Sequence, residues 1–130
     1  MSATPRVRLI RAADRTEGAA TPGMIREEAV AVDGMWAGFV RAEAGSTSDW
    51  HHHGEYETSI YVIAGRFLME FGPDGGESFE AGPGDFIHVP KHAVHRERNP
   101  SDEELQAIVV RAGRGDPVFN TDGPEPRSRS

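Results

Sequence analysis

Turn-forming residues break this chain so often that only short elements fit between the breaks. Fifteen glycines and nine prolines fall among 130 residues, many in clusters such as Asp33-Gly34, Gly72-Pro73-Asp74-Gly75-Gly76 and Gly82-Pro83-Gly84. Gly supplies positive φ and Pro pre-sets φ, so these clusters mark turns. The runs between them are rich in Val, Ile, Phe and Tyr. Residues 6–10 (R-V-R-L-I) read as an N-terminal strand. Residues 24–32 and 35–42 read as a hairpin about Asp33-Gly34. Residues 59–63 (S-I-Y-V-I) are apolar on both faces, as in a central strand. Residues 66–71, 77–81, 85–89, 94–97 and 105–111 follow, and 118–120 add an edge. About nine or ten short strands at even spacing, with no long amphipathic helix and no repeat, predict an all-β antiparallel barrel or double-sheet jelly roll. The expected layout is an N-terminal strand and loop over residues 1–22, a barrel over 23–120 and a disordered tail over 121–130.

The totals remove several classes of function. The net charge is -7 and the isoelectric point about 5.3. Such a chain repels a phosphate backbone, and its arginines form no patch, so nucleic acid is not expected as a partner. No window carries the ~18 apolar residues of a membrane span, and the N-terminus has no apolar signal core. A membrane partner is therefore not expected, and a cytoplasmic location is. Cysteine is absent, which removes disulfides, thiolate ligands and a thiol nucleophile together. Any metal must be held by nitrogen and oxygen.

All six histidines lie between positions 51 and 95. The densest stretch is Trp50-His51-His52-His53-Gly54-Glu55-Tyr56-Glu57. In an extended strand, side chains two apart share a face, so His51 and His53 point one way and His52 the other. Glu57 has the parity of His51 and His53 if the chain stays extended past Gly54. Two imidazoles and a carboxylate on one face suit a divalent transition metal. A second segment runs from Gly84 through Pro90, His92 and His95 to Asn99. There a strand enters a proline turn and a histidine follows on the next strand.

These two segments resemble the motifs of the cupin superfamily. The first, of the form G-x5-H-x-H-x3/4-E-x6-G, corresponds to Gly45, His51, His53, Glu57 and Gly65. The second, G-x5-P-x-G-x2-H-x3-N, corresponds to Gly84, Pro90, His95 and Asn99. The chain departs from them twice. Seven residues separate Glu57 from Gly65 rather than six, and His92 occupies the place of a glycine that takes positive φ. The resemblance implies a double-stranded β-helix, or jelly-roll, barrel with one divalent metal (Fe, Mn, Ni, Cu or Zn) held by His51, His53, Glu57 and His95. It also implies a homodimer in which an N-terminal strand, residues 6–10, joins the neighbour's sheet.

Such a centre leaves open positions for a small-molecule substrate that chelates through two oxygens. A small oxygenated organic acid or a phenolic compound would do so. A redox metal predicts a dioxygenase, and Zn an epimerase, isomerase, cyclase or lyase. Two other readings stand beside the enzyme: a non-catalytic binding or sensor cupin, and a metal-free barrel with histidines in its pocket. An inward Glu57 would bring Ser59, Tyr61 and Ile63 inward with it, making Tyr61 a candidate pocket donor. Phe67, Met69 and Phe71 are candidates for the apolar lining, and Arg41 and Arg111 for recognition of a carboxylate. His88 and His92 are placed at the rim. No catalytic base stands out.

Overall fold

The structure is a computed structural model that describes residues 4–18 and 23–126. Its strands are β1 (Thr16–Glu17), β2 (Ile25–Val32), β3 (Met35–Ala42), β4 (His51–His52), β5 (Glu57–Ala64) and β6 (Phe67–Phe71). After these come β7 (Glu77–Ala81), β8 (Phe86–Val89), β9 (His95–Arg98), β10 (Leu105–Ala112) and β11 (Phe119–Asn120). A 3-10 turn at Ala12–Asp14 is the only helical element among the described residues. Two antiparallel sheets face each other. One has the order β1-β2-β3-β10-β5-β8, the other β11-β4-β9-β6-β7.

Local sequence explains the main hairpins. Gly34 takes φ 88°, which Asp33-Gly34 accommodates without strain, and the chain returns as β3 with Val32 opposite Met35. Strand β5 lies between β10 and β8, as its two apolar faces predict. Strict alternation on β10 turns Leu105, Ala107, Val109 and Arg111 inward. The core is formed by Val40, Ile60, Val62, Phe67, Met69, Ile87, Leu105 and their neighbours on the inner faces of both sheets. The Asn99 amide is buried and donates to the carbonyls of Ala42, Glu43 and Glu103, tying the end of β3 to the turn before β10. His92 takes φ 61°, so the position does require the left-handed region, and its N–H donates to Gly54 O.

Both chain ends differ from expectation. Residues 6–10 form no strand, and Val7 and Leu9 lie exposed, so the described chain offers no N-terminal strand of the kind expected. The alternation R-V-R-L-I is too short to hold a strand without an apolar surface to cover. Residues 121–126 are placed against the barrel, where the expectation was disorder. Thr121 N–H donates to Trp50 O, and Asp74 N–H to Glu125 O. The last four positions of the expected tail lie outside the described residues.

Candidate metal centre

Strands β4 and β9 build the centre together. His51 is paired with His95 across the two strands, so their side chains meet on the inner face. His53 follows His51 with the same parity, and Glu97 follows His95 with the same parity. One ligand atom from each of His51, His53, His95 and Glu97 lies within 4.8 Å of the other three, and all four residues are buried. The imidazole centroids are 4.3 Å apart for His51 and His95, and 5.1 Å for each other pair.

Each imidazole is oriented by a backbone carbonyl. His51 Nδ1 lies 2.8 Å from Asp49 O, His53 Nδ1 2.7 Å from Pro117 O, and His95 Nδ1 2.8 Å from Ala93 O. A carbonyl only accepts, so each Nδ1 carries the proton and each neutral ring presents a bare Nε2. Those nitrogens face Glu97 Oε1, at 3.2 Å from His95 Nε2 and 3.5 Å from His51 Nε2. Lone pairs then confront lone pairs, and His51 Nε2 has no hydrogen-bond donor. A cation between them resolves this conflict. Three oriented imidazoles with one carboxylate are a donor set of the kind that holds a divalent transition metal, so the residues present fit the implied group.

The charges agree with that fit. His53 is held down to about 2 by burial, and further by the nearby Arg111 guanidinium, so it stays neutral and able to ligate. Arg26 adds a cation 3.8 Å from Glu97 Oε2.

Glu57, expected as a ligand, stands outside this centre. The chain turns sharply at Gly54, where φ is 56°, and Tyr56 N–H closes the turn onto His53 O. Extended geometry is lost between His53 and Glu57, and parity does not carry across it. Thr58 therefore occupies the inward position, while Glu57 lies on the outer face with its Oε1 2.8 Å from His88 Nε2. That bond, and then the His88 charge, lower its pKa. The seven-residue gap to Gly65 was the sequence sign of this shift. Glu97, the residue that sequence reasoning missed, was accessible through the rule applied to His51 and His53: it stands two residues past His95 on one strand.

Other expected site residues divide between the faces. Tyr61 shares the outward parity of Glu57 and packs beside the exposed Phe86 at 4.9 Å, so it is no pocket donor. Arg41 also lies on the outer face, 3.3 Å from Glu27. Phe67 and Met69 are buried in the core. Met69 and Phe71 line a pocket of about 220 Å3 that reaches His95, together with Phe79, Ile87 and Val89. His88 forms part of the same wall, and His92 bonds to Glu55 on the surface. His52 points away from the centre and stacks on Phe119 at 4.9 Å. Arg111 is buried against His53, with its guanidinium 4.6 Å above the Trp36 ring.

The family model described as "Cupin domain" (Cupin_2) matches residues 38–111, a span that holds all four clustered ligands. The quercetin 2,3-dioxygenase of Bacillus subtilis (strain 168) is 32% identical over 73 residues, which are 56% of this chain and 21% of that protein. The chain thus spans about a fifth of this relative's length. Two solved structures are similar in fold. One is the polyketide cyclase RemF from Streptomyces resistomycificus, with a TM-score of 0.74 and 22% identity over 92% of this chain and 90% of that one. The other is a conserved double-stranded β-helix protein from Klebsiella pneumoniae, with a TM-score of 0.72 and 17% identity over 90% of this chain and 99% of that one. At these identities the two structures show the fold alone.

Proposed function

The chain belongs to the cupin-domain family, and from that premise we propose that it is a metal-dependent enzyme acting on a small oxygenated, largely apolar molecule. The reading rests on one observation: three buried imidazoles, each tied through Nδ1 to a carbonyl, converge with Glu97 at the end of an apolar pocket. A divalent metal bound there would act as a Lewis acid toward an enol, phenol or 2-oxo acid and, if redox-active, would open dioxygenase chemistry.

The chain's own residues set the rest. Met69, Phe71, Phe79, Ile87 and Val89 exclude water and accept an apolar body. His88 borders the pocket, but its ring turns to the outer face, where Glu57 holds its Nε2. The names of the relatives favour the same class, since quercetin and polyketides combine several oxygens with an apolar frame.

Metal analysis of untagged protein tests the first half of the proposal. One equivalent of Fe, Mn, Ni, Cu or Zn is expected, and no stoichiometric metal would sink it. The second half is tested with phenolic and 1,3-diketone compounds, following O2 uptake and ultraviolet spectra on protein loaded with each metal. Consumption with Fe, Mn, Ni or Cu accompanied by O2 uptake identifies a dioxygenase. Consumption with Zn and no O2 uptake identifies a cyclase, isomerase or lyase. Tight binding of such compounds without turnover by any metal form would identify a binding protein instead.

A further inference from the structure

A second cavity touches the metal centre and shares no wall with the apolar pocket. It is bounded by His53 and Glu97 of the centre, by Arg26, Thr58 and Arg111, and by apolar side chains of both sheets. Its volume is about 10 Å3, room for about one non-hydrogen atom. The polar atoms around it are unusual. Arg111 is 1% exposed and Thr58 2% exposed, yet Arg111 Nε and Nη1 and Thr58 Oγ1 have no hydrogen-bond partner among the described residues. Buried donors without acceptors are rare and destabilising, and a guanidinium more so than a neutral group. Thr58 and Arg111 stand opposite each other on β5 and β10, so the ladder itself brings their side chains together.

Charge points the same way. Arg26 and Arg111 both line this cavity, and Glu97 is the one carboxylate among the described residues that line it. A divalent metal bound to Glu97 would add further positive charge there. What the place lacks is an anionic acceptor of atomic size.

We infer that Arg111 and Thr58 form a binding site for one anionic oxygen beside the metal, either a hydroxide or one oxygen of a substrate carboxylate or enolate. The inference rests on the metal-centred function proposed above and assigns the group that fixes the charge of the bound molecule. Arg111 offers two donors and Thr58 a third at one small cavity, a set that suits an oxyanion better than a water, which must also donate. A substrate lacking the anionic oxygen would leave these donors unpaired and be rejected.

Trp36, beneath the Arg111 guanidinium, is a reporter for the test. Full-length Trp50→Phe protein, which removes the other indole, is titrated with fluoride and with formate in Zn(II)-loaded and metal-free forms. We expect saturable changes in Trp36 fluorescence, tighter with Zn(II). Affinity should fall about tenfold on adding Thr58→Val and vanish with Arg111→Met. Fluoride binding alone identifies a hydroxide-sized ligand from water; formate binding as well identifies a carboxylate oxygen. Either supports the site. No saturable response to either anion, or unchanged affinity in Thr58→Val, overturns it. Thr58→Val is close to isosteric, so the test stands even if Arg111→Met does not fold. Zn(II) content measured on the same samples separates the two readings: metal without anion binding sinks this inference alone, and anion without metal binding sinks the metal centre alone.

Discussion

Two carboxylates compete for the role of fourth ligand, and Glu97→Gln against Glu57→Gln decides between them. Glu97 is 3% exposed and lies 3.8 Å from Arg26 through Oε2. At an effective dielectric of about 20, that separation corresponds to an attraction of about 4 kcal/mol. Removing the charge takes away the carboxylate that Arg26 meets here and that also faces Arg111. Breaking one partner out of a buried pair destabilises by about 3–5 kcal/mol. In a domain of this size that lowers Tm by roughly 10–20 °C, measured with chelator present so that metal does not contribute. Metal affinity should fall by more than the roughly 10- to 100-fold typical of losing a group that only orients a ligand. Glu57 is exposed on the outer face, and its neutral variant should keep both stability and metal. Chelator competition gives the affinities, and denaturant melts of metal-free protein give the stabilities. Equal metal loss from Glu57→Gln, or wild-type affinity in Glu97→Gln, would refute the assignment.

His51→Ala and His95→Ala should each release the metal, whereas His52→Ala, whose ring stacks on Phe119, should retain it; metal analysis checks all three. Metal should also leave as pH falls below about 6, because protons compete for the ligand nitrogens. Stability of the metal-free protein should depend on pH through His53, which burial and then Arg111 hold from the ordinary 6.5 down to about 2. Below pH 6.5 the unfolded chain binds a proton that the folded chain refuses, so stability is full above that value and falls as pH drops toward 2. Denaturant midpoints at pH 7.5 and pH 5 read the sign, and a higher midpoint at pH 5 would contradict it.

What the sequence determined was local. The Gly and Pro punctuation confined the chain to short strands, Asp33-Gly34 defined the β2–β3 hairpin, and period-two alternation split His51 and His53 from His52. Those features depend on residues a few positions apart, where backbone stereochemistry is enough. The errors arose where parity was extended past its range. A left-handed Gly54 ended the strand, so Glu57 and Tyr61 turned outward and Thr58 turned in. Tertiary structure alone decided the rest. Pairing of β4 with β9 placed Glu97 beside His51, although 46 positions separate them, and pairing of β5 with β10 set Arg111 against Thr58. Which strand lies beside which depends on closing the whole barrel around its core, and no local pattern in the chain encodes that closure.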